Sequence, residues 1–568
     1  MRIRLTCLFC LTLAGLTVAC GAGSGGNNAE QPKANVADDP QDGSLQLPDI
    51  GGRFTLYPAP PQPGWSSKEG PGSWDESGEV LAEGRRIALK PGQYLAYSQA
   101  GAKITDDDLK GLAASKIAAL VNSVEIVASA ATDHGVAELK KLVNLKALQV
   151  AYCRGLTNQS LKVAGEIGTL EHLGVASCNI NDDGLAHLKE AAQLVSLDLG
   201  SCEAITDDGL KHLAPLSRLR SLDLGSCPKI GDAGLGRLEA LKALEHLDLG
   251  ACPAVTDAGL KTCSKLGSLA FLNITFCDKV TDAGLKELAA LKSLRSLEAG
   301  SNPITDAGVA ELKTLTMLWR LNLSFCEKIT DAAFKTFSGF KELRTLDLLG
   351  CKAITGAGLK ELAGSPTLRR LGLSGCIRLK DAALKDLAAI PGLDDVWLED
   401  CTAISDAGIE ELKPLKDLRR LWLSGCKGVT GKGLKALTGL GLESLSLEFC
   451  PLSAEAVKQV GTFTGLKNLA LLRCNLTNES LKDLAGLKAL RRLSLGYAGV
   501  SDEGLKHLKD MKDLRDLSLG GCVSVSNAGV EHLKVLSALE RLDINRTGMT
   551  DWGAKALQKA LPNLAITR

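Results

Sequence analysis

The sequence has no excess of either charge. Its 568 residues include 66 Lys and Arg and 66 Asp and Glu, so the formal net charge at pH 7 is zero. No long-range field therefore attracts nucleic acid or an anionic membrane surface, and we expect no nucleic-acid partner. Any binding has to come from the local arrangement of side chains.

Catalytic and metal-binding motifs are also missing. The chain has no H-E-x-x-H, no G-x-x-x-x-G-K-[ST], and no G-x-S-x-G at a strand-to-helix elbow. Of its seven histidines, His187, His212, His507 and His532 share one position of a repeated pattern, before a helix leucine. A recurring position is a feature of the repeat. We therefore predict that the protein is not an enzyme and has no catalytic residues, no metal, no other cofactor and no small-molecule substrate.

What the sequence does contain is one unit of about 25 residues, copied along nearly the whole chain after Gly101. In the copy at residues 269–293, apolar residues lie two apart at Leu272 and Ile274, and three apart at Leu285 and Leu288. A spacing of two is typical of a strand, and a spacing of three is typical of a helix. Each unit therefore predicts one short strand followed by one short helix.

The pattern L-x-x-L-x-L-x-x-C/N followed by I/V-T-D-x-G-L-x-x-L resembles the leucine-rich repeat, specifically its cysteine-containing subfamily known from the substrate-recognition arms of F-box proteins. The resemblance implies an α/β fold, a curved horseshoe-shaped solenoid with a parallel β-sheet on the concave face and short helices on the convex face. Strands stack about 4.8 Å apart and helices about 8 to 10 Å apart, which curves the array. An F-box would need helical periodicity ahead of the repeats, and residues 21–100 have none.

Cysteine recurs at one position of the unit, which we call the cysteine slot. The cysteines in this slot are Cys153, Cys178, Cys202, Cys227, Cys252, Cys277, Cys326, Cys351, Cys376, Cys401, Cys426, Cys450, Cys474 and Cys522. Such a row could ligate metal, form disulfides or supply nucleophiles. Asn302, Ala498 and Thr547 occupy the same slot, however, and they share only a modest size with cysteine. We therefore predict reduced, buried, structural thiols.

The slots divide the chain into regions. Residues 101–568 form about 18 repeats, of which the first is weak. Residues 49–100 carry irregular apolar residues, including Trp65 and Trp74, and no fold can be assigned to them. We expect this segment to cap the first repeat, because the first coil of a solenoid otherwise exposes a core face.

The N-terminus has the layout of a secretory signal. Arg2 and Arg4 precede an apolar run at residues 5–18, which is too short for a stable membrane span. Residues 16–21 resemble a bacterial lipobox, although Thr17 stands where leucine is commonest. The resemblance implies that residues 1–19 are removed and that Cys20 receives a diacylglycerol. An ordinary signal peptide with an incidental cysteine is the alternative.

Residues 20–48 are rich in Gly, Asn, Asp, Gln and Pro, which predicts a flexible tether. Together with the lipobox resemblance, this region predicts a bacterial lipoprotein that is exported to the cell envelope. It would be lipid-anchored to a membrane through Cys20.

Side chains between the strand leucines face the inside of the solenoid and are not fixed by core packing. Trp397 and Trp422 occupy the same slot in consecutive units, and Arg370 and Arg420 occupy the slot two residues before it. Tryptophan and arginine are enriched in binding hot spots. We therefore predict a partner-binding surface on the concave face formed by Trp397, Trp422, Arg370, Arg420, Arg320 and Phe325. The alternative is that the two indole rings merely cover the sheet.

The sequence thus predicts a non-catalytic, membrane-anchored scaffold or receptor that binds a macromolecular partner, an unidentified protein. Two alternatives belong to other classes. The repeats could be the substrate-recognition arm of an enzyme or a ubiquitin-ligase-like assembly, with any activity in residues 49–100, which contain no histidine or cysteine. The solenoid could also self-associate as a structural envelope protein.

Overall fold

A computed structural model describes residues 45–48, 50, 53–57, 79–81, 86–87, 93–98 and 103–568. The chain divides into the units Met1–Leu45 and Gln46–Arg568, and the second contains all the repeats. Cys20, the predicted signal at residues 1–19 and most of the predicted tether at residues 20–48 lie outside the described residues.

One parallel ladder of short strands runs through the repeats, each strand in register with the next. Leu222 lies opposite Leu247, which lies opposite Leu272. The predicted α/β fold, a curved solenoid with a parallel sheet and interleaved short helices, is confirmed. The strands of the ladder are Val121–Val127, Ala147–Ala151, His172–Gly174, Ser196–Asp198, Ser221–Asp223, His246–Asp248, Phe271–Asn273, Ser296–Glu298, Arg320–Asn322, Thr345–Asp347, Arg370–Gly372, Asp395–Trp397, Arg420–Trp422, Ser444–Ser446, Asn468–Ala470, Arg492–Ser494, Asp516–Ser518, Arg541–Asp543 and Ala565–Thr567.

The sheet continues beyond the first repeat into the segment to which sequence analysis assigned no fold. Tyr94–Ser98 pairs in parallel with Val121–Val127, and Arg53–Tyr57 pairs antiparallel with Tyr94–Ser98 and with Glu79–Leu81. Within this addition the rings of Phe54 and Tyr97 lie 5.1 Å apart, and both residues are buried. Two further strands, of two residues each, are Leu45–Gln46 and Arg86–Ile87.

Short helices follow the strands, and the α-helices are Asp106–Ala114, Asp133–Glu138, Asn158–Glu166, Asp182–Leu185, Asp232–Arg237, Asp257–Cys263, Asp282–Leu288, Asp306–Glu311, Phe334–Phe337, Asp381–Leu387, Asp406–Glu411, Ala454–Val460, Asn478–Leu484, Asp502–Leu505, Val530–Leu533 and Asp551–Ala560. The 3₁₀ helices are Ala118–Leu120, Leu139–Lys141, Ala186–Glu190, Gly209–Leu213, Leu238–Ala240, Leu312–Thr314, Asp331–Ala333, Leu359–Gly364, Lys432–Leu437, Lys506–Leu508 and Asn527–Gly529. None of the helices in the described ranges is long and apolar enough to cross a membrane.

The T-D-x-G motif both caps a helix and joins neighbouring repeats. Thr281 caps its own helix, because its hydroxyl accepts a hydrogen bond from the Ala283 N–H. Asp257 of the preceding repeat accepts from the Thr281 N–H and from the Thr281 hydroxyl, each at 2.7 Å. A Cβ added at Gly284 would lie 2.5 Å from Oδ1 of Asp257, so only glycine leaves room for this carboxylate. We call the Asp-to-Thr contact between repeats the clamp.

The clamp recurs along most of the solenoid, with the amide oxygens of Asn158, Asn478 and Asn527 in place of a carboxylate in three repeats, but the contact is missing in two regions. Gly356, Gly431 and Ala454 stand where the clamp aspartate would be, so they offer no carboxylate to the next repeat. Between the two interruptions the clamp is intact, because Asp381 accepts from Ser405 and Asp406 accepts from Thr430. These two clamps join three consecutive repeats, whose strands run from Arg370–Gly372 to Arg420–Trp422.

In most repeats the side chain in the cysteine slot donates a hydrogen bond to a carbonyl of the preceding repeat. Sγ of Cys277 donates to the Leu249 carbonyl at 3.1 Å, and Nδ2 of Asn302 donates to the Ile274 carbonyl at 2.8 Å. The cysteines of the described ranges are all buried and free, which confirms the prediction of structural thiols. The slot therefore takes a small side chain, which donates one hydrogen bond in most repeats, whereas Ala498 has no donor and Thr547 donates to Ile544 of its own repeat.

The residue immediately before the cysteine slot has a left-handed backbone in nearly every repeat, and we call it the rim position. Its φ is 60° at Phe276, 59° at Phe325 and 72° at Gly350. Serine and glycine fill many rim positions, but several carry large side chains. Those side chains project from the edge of the sheet, because Phe276, Phe325, Phe449 and Tyr497 are all more than 40% exposed.

Candidate functional site

Trp397 and Trp422 lie directly opposite each other on neighbouring parallel strands, so their side chains are one strand spacing apart. Both are partly exposed on the sheet. The strands on either side carry Gly372 and Ser446 at the same register position, and a Cβ at Gly372 would lie 3.2 Å from Cε3 of Trp397. Small neighbours thus leave room for the two rings, which we call the tryptophan platform.

A single buried carboxylate holds the platform in place. Oδ1 of Asp395 accepts a hydrogen bond from Nε1 of Trp397 at 2.7 Å and another from Nε1 of Trp422 at 3.0 Å. Its other oxygen pairs with Nε of Arg420 at 2.9 Å. Because the side chain of Asp395 is only 6% exposed, these contacts replace its hydration. The predicted residues Trp397, Trp422 and Arg420 therefore meet on Asp395.

The arginines differ in how much charge they leave for a partner. Arg420 forms ion pairs with two carboxylates, because its Nη2 also pairs with Oδ1 of Asp394 at 2.9 Å. Nε of Arg370 lies 4.0 Å from Oδ2 of Asp395, and this side chain is 50% exposed. Of these two arginines, Arg370 is the one whose guanidinium remains accessible beside the platform.

The other two predicted residues lie apart from this cluster. Arg320 and Phe325 belong to the repeat of the Arg320–Asn322 strand, three strands before the Asp395–Trp397 strand. Nε of Arg320 pairs with the buried Glu298 at 2.5 Å. Phe325 occupies a rim position, where its ring covers Gly350 of the next repeat. The structure therefore brings four of the six predicted residues together.

Sequence reasoning missed the role of the acidic residues. Asp223 and Asp248 are buried, and each accepts a hydrogen bond from the backbone N–H two residues later, at 2.7 and 2.8 Å. Asn273 follows the same rule, because its Oδ1 accepts from the Thr275 N–H at 3.0 Å. Burial raises the pKa of Asp198 and of Asp347, which occupy the same slot. The acidic and amide side chains of this slot therefore bind the backbone at the ends of the strands, and they do not form an open acidic surface.

The described residues contain no group of three or more His, Cys, Asp or Glu side chains arranged to hold a metal ion. The cysteine thiols of the described residues lie in the core, and burial raises the pKa of those from Cys178 onward, for example to about 12 at Cys277. A protonated, enclosed thiol is a poor nucleophile. The platform combines a large, partly exposed aromatic surface with a fixed hydrogen-bond network.

The sequence matches the leucine-rich repeat region family over residues 175–436. No curated protein matches the chain. Among solved structures it is similar to an internalin from Listeria monocytogenes, at 20% identity over 73% of this chain and 88% of that chain, with a TM-score of 0.34. It is also similar to a leucine-rich repeat protein of Leptospira interrogans, at 19% identity over 76% and 92% of the two chains, with a TM-score of 0.36.

A third similar structure is the TLR13–ssRNA13 complex, at 19% identity over 82% of this chain and 72% of that chain, with a TM-score of 0.49. The family match falls within the parallel ladder described above. Together with the repeat motif, this match identifies residues 175–436 as a leucine-rich repeat region, and the buried cysteine slots fit the pattern of the cysteine-containing type.

Proposed function

We propose that this protein is an exported, lipid-anchored scaffold that binds a protein partner on the concave face of its solenoid, at the tryptophan platform. Leucine-rich repeat proteins are generally non-catalytic binding scaffolds. The observation that supports the position of the site is that two neighbouring indole rings, both partly exposed, are fixed on one buried carboxylate. Rings already held in one orientation lose little conformational entropy on binding.

The charge arrangement indicates how the partner is held. Asp394 and Asp395 neutralise Arg420, and Asp395 also attracts Arg370, so the cluster has no net charge. Contact is therefore expected to rest on the indole faces, with Arg370 donating to a carbonyl or carboxylate of the partner. Arg320 is neutralised by Glu298, so we assign it a supporting place on the sheet.

Anchoring is the second part of the proposal. Cys20 follows an apolar signal and precedes a polar segment, which is the order expected of a lipid-attachment cysteine and its tether. A protein attached in this way would present the repeats at a membrane surface in the cell envelope.

The platform is tested with the double variant Trp397→Ala with Trp422→Ala. Neither ring is part of the leucine core, so we expect the variant to fold and to bind the partner more weakly by roughly 2 kcal/mol or more. The partner is first recovered with the wild-type chain from the native envelope fraction, and its affinity for each variant is then measured by calorimetry.

The matched control is Tyr152→Ala with Phe276→Ala, which removes two exposed rings from rim positions far from the platform. Equal affinity of the platform variant and the wild type would contradict the proposed site. So would a loss of affinity of the same size in the control.

A further inference from the structure

A second cluster of large side chains lies at the rim of the C-terminal repeats, away from the platform. The rim positions of consecutive repeats are Phe449, Arg473, Tyr497, Gly521 and Arg546. The strands that carry them pair in register, so neighbouring rim positions are about 4.8 Å apart. We call Phe449, Arg473, Tyr497 and Arg546 the rim stack.

The guanidinium of Arg473 is held between two aromatic rings. Its central carbon lies 5.8 Å from the ring centroid of Phe449 and 4.4 Å from that of Tyr497. These are cation–π contacts, which hold the guanidinium beside the two rings, and the Arg473 side chain remains exposed. Nη1 of Arg546 donates a hydrogen bond to the hydroxyl of Tyr497 at 3.3 Å, so Arg546 also contacts the stack.

The backbone beneath these side chains is fixed and strained. Their φ values are 58° at Phe449, 57° at Arg473, 58° at Tyr497 and 55° at Arg546, a left-handed region that non-glycine residues rarely adopt. The Arg473 N–H donates to the Gly496 carbonyl and the Tyr497 N–H donates to the Gly520 carbonyl. Glycine serves at the rim of other repeats, so folding alone does not require an arginine here.

The positive charges of the rim stack are not neutralised within the part of the chain that the structure describes. Neither Arg473 nor Arg546 forms an ion pair with a described carboxylate, although Arg541 nearby pairs with Asp516. Asp543, in the repeat of Arg546, accepts from Ser518 and from Asn545. Two exposed guanidinium groups are thus presented without an ion-pair partner among the described residues.

The stack also indicates what it does not bind. Arg473 covers one face of Tyr497, and the ring lies against Gly521 on the following strand, where an added Cβ would meet it at 2.7 Å. Both faces of this ring are therefore occupied. Nucleobases and sugar rings are bound mainly by stacking on free aromatic faces, so the open groups here are guanidinium edges suited to carboxylates.

From this geometry we propose that the rim stack is a docking site for an acidic segment of a protein, with carboxylates bound by Arg473 and Arg546. The two arginines are three strands apart, but both guanidinium groups contact Tyr497, so the charged groups lie closer together than the backbones that carry them. In an extended peptide, residues i and i+2 are about 7 Å apart and point to the same side. The site would thus read two acidic residues two positions apart in an extended chain.

The test uses the full chain and a fluorescein-labelled peptide in which Glu-Ser is repeated six times, with a Gln-Ser peptide of the same length as the uncharged probe. Binding is followed by fluorescence anisotropy. We expect Arg473→Gln with Arg546→Gln to weaken binding about tenfold or more, since it removes both charge-assisted pairs. Arg473→Lys should also weaken binding about threefold or more, because lysine keeps the charge but lacks the planar fork.

The matched control is Arg237→Gln with Arg378→Gln, which removes two exposed charges elsewhere and is expected to change the affinity less than about twofold. Thermal melting checks that each variant is folded, and Arg546→Gln alone tests the site if the Arg473 variants unfold. Equal affinity of the wild type and the folded rim variants would overturn the proposal. Equal binding of the glutamine peptide, or tighter binding of a twelve-nucleotide oligouridylate than of the glutamate peptide, would also overturn it.

Discussion

At the scale of single residues, the cysteine slot places a row of thiols in an environment that keeps them protonated. Burial raises the pKa of Cys178 to about 11 and that of Cys277 and Cys426 to about 12, from an ordinary value of 9.0. Each thiol also donates to a carbonyl, as Cys426 does to Leu398 at 3.0 Å. A thiolate could not donate this hydrogen bond.

These pKa values predict a loss of stability in alkali. An unfolded thiol releases its proton near pH 9, whereas the folded thiol keeps it until about pH 12, so the unfolded state binds fewer protons between these values. The free energy of unfolding should therefore fall as pH rises from about 9 toward 12. Thiolate absorbance and circular dichroism, followed together, should change in one cooperative transition.

At about pH 8 the native protein should react slowly with a thiol reagent, and it should show its full complement of thiols once unfolded without reductant. Gradual titration of the thiols near pH 9 in a protein that stays folded would contradict this prediction. Disulfides detected by intact mass would contradict it as well.

Asp395 is the single residue on which the tryptophan platform depends. Asp395→Ala leaves two indole N–H groups and Arg420 without their shared acceptor, so we expect the free energy of unfolding to fall by about 2 to 4 kcal/mol. Urea denaturation measures this loss, and tryptophan fluorescence should shift to the red. Asp395→Asn keeps one acceptor oxygen and should cost less.

The fluorescence shift should disappear when Asp395→Ala is made together with Trp397→Phe and Trp422→Phe, because the other tryptophans lie elsewhere. A variant as stable as the wild type, with unchanged fluorescence, would show that the carboxylate does not hold the platform.

The sequence was sufficient to place Trp397, Trp422, Arg370 and Arg420 together, because a fixed period puts equal slots on neighbouring strands. It did not reveal that Asp395 is the residue these side chains share. Asp395 stands at the same repeat position as Arg370 and Arg420, and the repeat pattern does not distinguish it from other charged residues. Whether two indoles point toward or away from a carboxylate depends on rotamers, and periodicity does not specify rotamers.

At the scale of elements, the clamp makes the interface between repeats specific. The threonine of T-D-x-G caps its own helix, as Thr281 does. The aspartate and the glycine belong to a contact between successive repeats, as Asp257 and Gly284 show. This contact has a sequence separation of 24 residues, so no local propensity reveals it.

The clamp predicts an energetic coupling between two residues of different repeats. Gly284→Ala introduces a methyl group 2.5 Å from the Asp257 carboxylate and 2.9 Å from Cδ1 of Leu260, and should lower the free energy of unfolding by about 2 kcal/mol. In an Asp257→Ala background the penalty should fall by roughly half or more, because the leucine side chain can move. Urea denaturation of the four proteins gives the coupling energy.

The matched control is Gly267→Ala, since an added Cβ at Gly267 meets nothing within 4 Å. That substitution should leave stability nearly unchanged. A penalty at Gly284 that is identical with and without Asp257 would exclude the clamp as its cause.

The repeats could be predicted element by element, whereas the strands ahead of them could not. The strands that contain Leu222, Leu247 and Leu272 can be predicted because the same apolar spacing recurs every 25 residues or so along the chain. Arg53–Tyr57 and Tyr94–Ser98 occur once, and they pair antiparallel across a long separation in sequence. A contact made only once leaves no pattern that a single sequence can show.

At the scale of the whole molecule, the proposed lipid anchor determines where the repeats act. Cys20→Ala should abolish labelling by a fatty-acid analogue and release the protein from the membrane fraction. The reason is that Cys20 is the cysteine that directly follows the predicted signal at residues 1–19. Metabolic labelling followed by fractionation measures both effects. Cys7→Ala, inside the predicted signal, is the control and should change neither.

The interruptions of the clamp near Gly356 and at Gly431 and Ala454 have a mechanical meaning for the solenoid. A stack of repeats with identical cross-links resists bending evenly, and its compliance concentrates where cross-links are absent. The block that carries Trp397 and Trp422 is then a stiff span between two softer joints. Changes in the curvature of the solenoid would widen or narrow its concave face while the two indole rings keep their spacing. Faster amide hydrogen exchange at the joints than within the span would reveal this division.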